Sequence, residues 1–551
     1  VKYRHTQEPF PTSEITQMNP QITVLAAIAV LVSACTPAND NSSASVETDA
    51  AAIEPVAYTA DVESLSRHQA APDWFRDAKF GIYFTWGPYT VAEHINEWYP
   101  RWMHFGLQED DWNGNTPGYH IDALDWHTER FGHPSEFGYH DMVSLFTAES
   151  FDAEEWADLF ASSGARYAGP VAMHHDGFAL WDSDITPWNA KNRGPQVDVL
   201  GELAEALRKR DMRVVATFHH ARHLQRYAGM SIEEAMEKYG RHDLYHVFWN
   251  SHYPWIEGLA TSSDDPELRL LYGNMPEDEW LEEFWLGTLK EVVDKYQPDM
   301  VWFDTWLDQI PESTRYEFAA YYLNEAEKWG KEVMLTHKHE DSPTSFSVLD
   351  LEKGRQISQS SDPWLTDDTI SKGSWSYTKD LKIKSGTDVI HALVDTVAKN
   401  GQMLLNVSPR YDGTIPDNQR AVLEALGIWL DVNGEAIYGS RPWTRFGEGP
   451  TDYDDDDFNI DGHFIGEVHY TARDIRFTTK GDTLYAMSLG TPDGDLTIES
   501  LDVSSAGKIM SVTALSGDYV AAWSQNENGL TISLIEGAPV EPAYAFRIET
   551  N

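Results

Sequence analysis

At 551 residues, 41% of them hydrophobic and 24% charged, the chain is globular in composition and too long for one small core, which predicts two domains and an export segment. Its 89 Asp and Glu outnumber its 41 Lys and Arg, and a formal charge of −48 repels phosphate backbones, arguing against nucleic acid as a partner. The same acidity favours solubility and fits a marine, salt-adapted bacterial source, while 21 Trp and 25 Tyr offer flat faces of the kind that stack on sugar rings.

The single cysteine, Cys35, rules out an intrachain disulfide. Met18, which reads as the start of the segment, precedes an apolar run from Ile22 to Val32 that is too short to span a membrane. Val32-Ser33-Ala34-Cys35 then closes the run with small residues, resembling a bacterial lipoprotein signal. That likeness implies lipidation of Cys35 after cleavage, a periplasmic or cell-surface location, and membrane contact only through the anchor. Thr36 to Asp49 reads as a flexible tether, so residues 1–57 form the export and tether region.

Over residues 58–443, short apolar runs alternate with helix-length amphipathic segments. The strands expected in chain order are Phe80–Phe84, Tyr167–Ala172, Arg213–Phe218, Met300–Phe303, Val333–Thr336 and Met403–Val407. The helices between them are Ala153–Ser163, Val199–Arg210, Trp280–Tyr296, Ser313–Trp329 and Gln419–Leu430. Such alternation implies parallel strands with helical crossovers, closed as a (β/α)8-type, TIM-like barrel with its chemistry at the strand C-terminal ends. After Trp443 the helical period vanishes. Residues 444–551 read as a β-sandwich with strands at Ile475–Thr479, Thr483–Leu489, Leu530–Leu534 and Tyr544–Ile548, and a hairpin turn at Lys480-Gly481-Asp482. The acidic run Asp454–Asp457 reads as a solvated loop rather than a calcium site.

Polar residues just past these strands carry the chemistry. In Asp299-Met-Val-Trp-Phe-Asp304-Thr-Trp306, Asp304 ends a hydrophobic strand between Trp302 and Trp306, where a carboxylate is costly unless it is used. A helix N-cap accounts for it equally well at this level. His174 and His175 follow the next-earlier pattern, and His219-His220 repeats it. Neighbouring histidines with no HxxxH or cysteine partner fit donors to sugar hydroxyls better than metal ligands, so neither metal nor cofactor is expected. Glu97-Trp98-Tyr99 offers a carboxylate for a hydroxyl pair and a stacking face. Retaining glycoside hydrolysis needs a second carboxyl about 5–5.5 Å from the nucleophile, and Glu340, Asp341, Asp350 and Glu352 are the candidates. No GxSxG elbow, GxGxxG turn or Walker motif supports other chemistries.

Several ordered stretches together resemble glycoside hydrolase family 29, the α-L-fucosidases. They run from Trp74 through Lys79, Gly81 and Thr85-Trp86-Gly87 to Glu97-Trp98-Tyr99, then His174-His175-Asp176-Gly177-Phe178 with Trp181, Ser183 and Trp188-Asn189-Ala190. Val301-Trp302-Phe303-Asp304 follows, then Leu404 to Pro409, Asp412 to Pro416, and Val432 to Tyr438 ahead of Arg441-Pro442-Trp443. The match spans roughly residues 70 to 445. The resemblance implies an exo-acting, retaining enzyme on terminal α-L-fucosyl groups, with Asp304 as nucleophile. It also implies that Glu97, Trp98, His174, His175, His219 and Trp306 line the sugar subsite, and Leu349 to Arg355 resembles the region that supplies the acid/base, placing Glu352 in that role. Two positions depart from the pattern: Thr85 stands where the family has His, and His337-Lys338-His339 where an arginine is expected. Alternatives are a sulfated fucose, an α-L-galactoside or fucan as substrate, or an inactive, lipid-anchored glycan-binding protein.

Overall fold

The computed structural model describes residues 57–105, 123–228, 230, 251–451 and 468–551. Cys35, its tether and Asp454–Asp457 lie outside the described residues. Eight parallel strands form one sheet: β1 (Phe80–Phe84), β2 (Tyr167–Met173), β3 (Arg213–Phe218), β4 (Met300–Phe303), β5 (Met334–His337), β6 (Val348–Leu349), β7 (Trp364–Thr369) and β8 (Gly401–Val407). Their order is β6-β5-β4-β3-β2-β1-β8-β7. The edges meet at a parallel bridge from Asp350 to Leu365, where Leu351 N donates to Leu365 O at 3.0 Å and Lys353 N to Asp367 O at 2.7 Å. The sheet is thereby a nearly closed (β/α)8-type barrel, its helices falling between strands as the sequence pattern requires.

The period-2 pleat sorts the strand residues onto two faces. Tyr83, Tyr167, Val215, Trp302, Met334 and Leu404 fill the barrel interior as one cluster. Phe80, Ile82, Phe84, Val214, Phe218 and Leu405 face outward into the larger core under the helices. At Gly169 a Cβ would sit 1.8 Å from the Val215 carbonyl oxygen, so β2 and β3 approach closely only with glycine there. The β2–β3 pairing shifts register between Val171 and Met173, a bulge that redirects the chain just ahead of His174.

Helices at Ala153–Ser162 and Val199–Arg208 start where Asp152 and Asp198 accept hydrogen bonds from first-turn amides. The segment expected as one helix from Trp280 opens instead with a π-helical turn, Trp280–Trp285, and is α-helical over Leu286–Tyr296. Two of the three bulky rings of that turn close on His223, Trp280 by an indole hydrogen bond of 3.1 Å and Phe284 by stacking at 4.5 Å, and the wider turn accommodates them. Strands β6 and β7 and a helix at Gly386–Ala398 are additions to the sequence reading.

Past the barrel, a five-stranded antiparallel sheet joins β9 (Arg441–Glu448), β10 (Ile475–Lys480), β11 (Thr483–Ser488), β13 (Ile509–Ala514) and β16 (Tyr544–Thr550). A three-stranded sheet of β12 (Leu496–Ile498), β14 (Val520–Asn526) and β15 (Gly529–Leu534) packs against it around a second core of Phe477, Leu496, Ile532 and Phe546. The turn after Lys480 has Gly481 at φ +58°, as a tight hairpin demands.

A buried ion pair ties the sandwich to the barrel. Asp395, fully buried on helix Gly386–Ala398, receives Lys399 Nζ at 2.8 Å and Arg476 Nε of β10 at 2.6 Å. Burial alone would raise the Asp395 carboxyl, but Lys399 and Arg476 outweigh it and hold the group well below the usual carboxylate range. Replacing Asp395 with Ala leaves two buried cations without their shared anion, and a loss of about 3–5 kcal/mol in urea unfolding is expected. Because the folded carboxyl titrates lower than the unfolded one, this contribution is complete above the unfolded value of about 3.9 and fades as pH falls below it. The wild-type advantage over Asp395→Ala should therefore shrink in melts taken below about pH 4.

Candidate active site

Asp304 leaves the hydrophobic strand β4 with its amide donating to Phe218 O at 3.1 Å, at the C-terminal mouth of the barrel. It does not cap the next turn: Trp306, at φ +77°, occupies that position. Its carboxylate instead meets His175 Nε2 at 3.4 Å and Lys338 Nζ at 3.6 Å. Lys338 follows β5, and its ammonium also lies 3.5 Å from Asp350, 3.3 Å from Glu352 and 3.1 Å from Asp367. Asp350 and Glu352 follow β6 and Asp367 lies on β7, so four successive strand ends converge on one cation. Asp367 N donates to Asp350 Oδ1 at 2.9 Å, and Tyr83 OH donates to Asp367 Oδ2 at 3.1 Å.

Burial divides this cluster. The side chains of Asp350 and Asp367 are 0% and 2% exposed, whereas Asp304 and Glu352 are 14% and 20% exposed. Only the last two open toward a ligand. Since both touch Lys338 Nζ, their nearer oxygens are no more than about 7 Å apart, which admits the roughly 5–5.5 Å of a retaining pair. Glu340 is exposed and Asp341 is buried, its Oδ2 without a hydrogen bond.

The groups titrate far apart. Burial raises Asp350, and raises Asp367 well above the carboxylate range with help from Asp350, so the pair retains a proton. Asp304 goes the other way: burial would raise it, but His219, the bond from His175 and Lys338 hold it well below its ordinary value. Burial pushes His219 down to about 3, leaving it uncharged at neutral pH. Lys338 therefore supplies the standing charge. Burial works against its ammonium, yet Asp367, Glu352, Asp350 and Asp304 together raise it well above the usual lysine value. Burial and the nearby Asp308 push Asp341 up to about 7.

The wall beside Asp304 is polar and aromatic. Buried Glu97 accepts from Ser374 Oγ at 3.1 Å and Ser376 N at 3.3 Å, and burial raises its carboxyl. The Trp98 ring lies 4.7 Å from His175 and 5.1 Å from His252, and His174 lies 4.9 Å from His219. His175 Nδ1 donates to the His219 carbonyl, which orients its ring with Nε2 toward Asp304. Nδ1 of His174 and of His219 has no hydrogen bond among the described residues. Of the second histidine pair only His219 faces this site; His220 turns away and stacks on Trp285 at 5.8 Å. Thr85 is saturated, its amide and hydroxyl each donating to Asn406 Oδ1 at 2.8 Å. Arg222 lies over Trp98 at 5.0 Å and over Trp306 at 3.9 Å.

The structure thus brings Asp304, Glu352, His174, His175 and His219 to one barrel mouth, with Trp98 against His175 and Glu97 and Trp306 on the flanking loops. Sequence reasoning missed Asp367, Arg222 and His252. Arg222 lies three residues past His219 and could have been found by following that strand end further; His252 carries no such signal. Ionised and protonable carboxyls beside imidazoles and an indole face suit cleavage of a bond to a polyhydroxylated ring.

Comparison with known proteins agrees with this chemistry. A family model described as Alpha-L-fucosidase matches residues 45–435. The chain is 30% identical over 525 residues to the tissue alpha-L-fucosidase of Rattus norvegicus, covering 91% of this chain and 94% of the relative. It is similar to the crystal structure of Thermotoga maritima alpha-fucosidase, with 27% identity, a TM-score of 0.65, and coverage of 89% of this chain and 99% of that one. The same enzyme solved in complex with fucose aligns over equal shares at 27% identity and a TM-score of 0.63.

The two histidines after β3 make a controlled contrast. His219→Ala removes a ring facing the site and is expected to lower kcat/KM about tenfold or more, from about 1–3 kcal/mol of lost bonding. His220→Ala should cost about 1–3 kcal/mol of stability instead, with kcat/KM within about threefold of wild type. Steady-state kinetics and urea melts on both variants separate the two roles.

Proposed function

The chain belongs to the alpha-L-fucosidase family, and we propose from that premise that it hydrolyses terminal α-L-fucosyl groups of glycans with retention of configuration. Asp304 is the nucleophile and Glu352 the general acid and base. One observation carries the assignment: these are the two ligand-facing carboxyls among the four that surround Lys338. In the first step an Asp304 oxygen attacks the anomeric carbon while the Glu352 proton passes to the departing glycosidic oxygen, leaving a fucosyl ester on Asp304. Water then gives a proton to Glu352 as its oxygen attacks the same carbon, and Asp304 is released. Glu97, His174, His175 and His219 bind ring hydroxyls, and Trp98 and Trp306 supply the stacking faces.

Asp341 supports a second reading of the acid, since its carboxyl is pushed up to about 7 and one oxygen has no hydrogen bond among the described residues. It lacks the contact with Lys338 that ties Glu352 to the nucleophile, and Glu352 is preferred on that ground.

Asp304→Gly should lower turnover of every substrate by at least about 10⁴-fold. Glu352→Ala should spare fucosylation by activated aryl fucosides, whose leaving groups barely need protonation, and azide should restore their turnover as α-fucosyl azide, the configuration that two inversions leave. Azide rescue of Asp341→Ala but not Glu352→Ala would move the acid to Asp341. An inverted anomer in the first product seen by NMR would overturn retention.

The export reading is a separate proposal, supported by the run from Ile22 to Cys35. Among the described residues no helix is long and apolar enough to cross a membrane, so attachment would fall to a lipid on Cys35. Cys35→Ala should release the enzyme from the membrane fraction of the host; an unlipidated, uncleaved N-terminus in intact mass spectra would refute it.

A further inference from the structure

Deepening that reading, and resting on it, we propose that Lys338 is the positioning residue of both half-reactions: a buried ammonium that is counter-cation to Asp304 before fucosyl transfer and to Glu352 after it. Its Nζ lies 3.6 Å from Asp304 Oδ1 and 3.3 Å from Glu352 Oε2, so one cation faces both reacting carboxyls at nearly equal range.

The charge balance of the reaction gives this geometry its meaning. At the start Asp304 is an anion and Glu352 carries a proton. When the ester forms, Asp304 becomes neutral, and Glu352, having given its proton to the leaving oxygen, becomes the anion. One negative charge has crossed from one side of Nζ to the other, and the sum around Lys338 is unchanged. The second step returns it. A cation bound to one carboxyl alone would stabilise one end of each step against the other; a cation between them needs no rearrangement, which is the condition for preorganised electrostatic catalysis.

The remaining neighbours keep it between them. Asp350 at 3.5 Å and Asp367 at 3.1 Å hold Nζ from behind, with Tyr83 OH bonded to Asp367. The Trp302 ring lies 4.9 Å away on β4, and neutral His219 approaches from β3. The Asp350–Asp367 anchor is too deep to touch substrate, so it can fix the ammonium without joining the chemistry. A lysine suits the place because its charge is compact and its three donors can point to separate carboxyls, whereas a guanidinium prefers one planar pair.

The test is the pH dependence of kcat/KM in Lys338→Met and Lys338→Arg. A nearby cation favours the ionised form of a carboxyl, so its removal in Lys338→Met should move both limbs of the profile to higher pH by about one unit or more. The rate at the optimum should fall about 10²–10³-fold. Single-turnover measurements should show fucosylation and defucosylation both slowed. Lys338→Arg, keeping the charge, should hold both limbs near their wild-type positions even with reduced rate. If Lys338→Met does not fold, the double variant Lys338→Met/Asp367→Asn, which removes a buried anion with the cation, carries the same measurement. Wild-type limbs with only a lowered rate, or slowing of one half-reaction alone, would overturn the proposal. Asp304→Gly and Glu352→Ala, measured in the same series, tell the two levels apart. If they fail to behave as nucleophile and acid/base, the parent reading falls; if they behave as assigned while Lys338→Met keeps its limbs, only this inference falls.

Discussion

A single ammonium, Lys338 Nζ, lies within 3.6 Å of carboxylates from β4, β7 and the segment after β6, and both the barrel and its chemistry depend on that contact. Burying a lone charge in a protein interior costs several kcal/mol even after relaxation, and four clustered carboxylates without a cation would cost more. The arrangement is stable only as a whole. It also sits at the weakest seam of the sheet. β6 has two residues, and β6 and β7 join through the Asp350–Leu365 bridge and two adjacent backbone bonds. The Asp350–Asp367 contact and the reach of Lys338 across both strands reinforce a join that backbone pairing alone makes poorly. The site and the closure of the barrel are one structure.

That dependence explains which parts could be read from sequence. The strands β1 to β5 and β8 are continuous apolar runs, and the expected bounds fall within two residues of those observed. β7 reads Trp-Leu-Thr-Asp-Asp-Thr, and its polar half looks like loop because Asp367, which faces the cation, and Asp368, which pairs with Lys384, spoil the pattern. β6 is too short to carry a period at all. Helix Gly386–Ala398 is a different failure: Ser385 and Asp388 form a capping box ahead of an apolar stretch, a signal present in the sequence and passed over. In the site, Asp304 and the histidines were legible as polar residues where a barrel strand should stay apolar. Lys338 was legible only as a missing arginine. Asp367 was invisible, since its partners lie 29 and 17 positions away along the chain.

The ligand-facing wall follows a second rule, in which aromatic stacking fixes geometry that hydrogen bonds leave open. Trp306 sits two residues past Asp304 at φ +77°, a conformation that costs a bulky residue about 1–3 kcal/mol. Arg222 lies 3.9 Å from its ring and 5.0 Å from Trp98, and cation–π contacts of this kind offset a cost of that size. The stack ties the loop after β1 to the loop carrying Asp304. Thr85 makes the opposite choice. Its two donors both go to Asn406, so neither is free to reach a ligand.

These commitments bear on which sugar the site suits. The chain carries a formal charge of −48, which repels a polyanionic glycan at long range. A sulfated substrate would then need a local cation to bind its sulfate. Lys338 is 2% exposed and faces four carboxylates, and Arg222 is buried over two indole faces. Neither presents its charge outward to an anion without giving up its contacts with Asp304 and Glu352 or with the two indoles. Imidazoles that are neutral at working pH, such as His219, bind hydroxyls well and sulfates weakly. On the proposed reading, the long-range field therefore favours an uncharged fucosyl ring over its sulfated form, and Lys338 and Arg222 do not offset it.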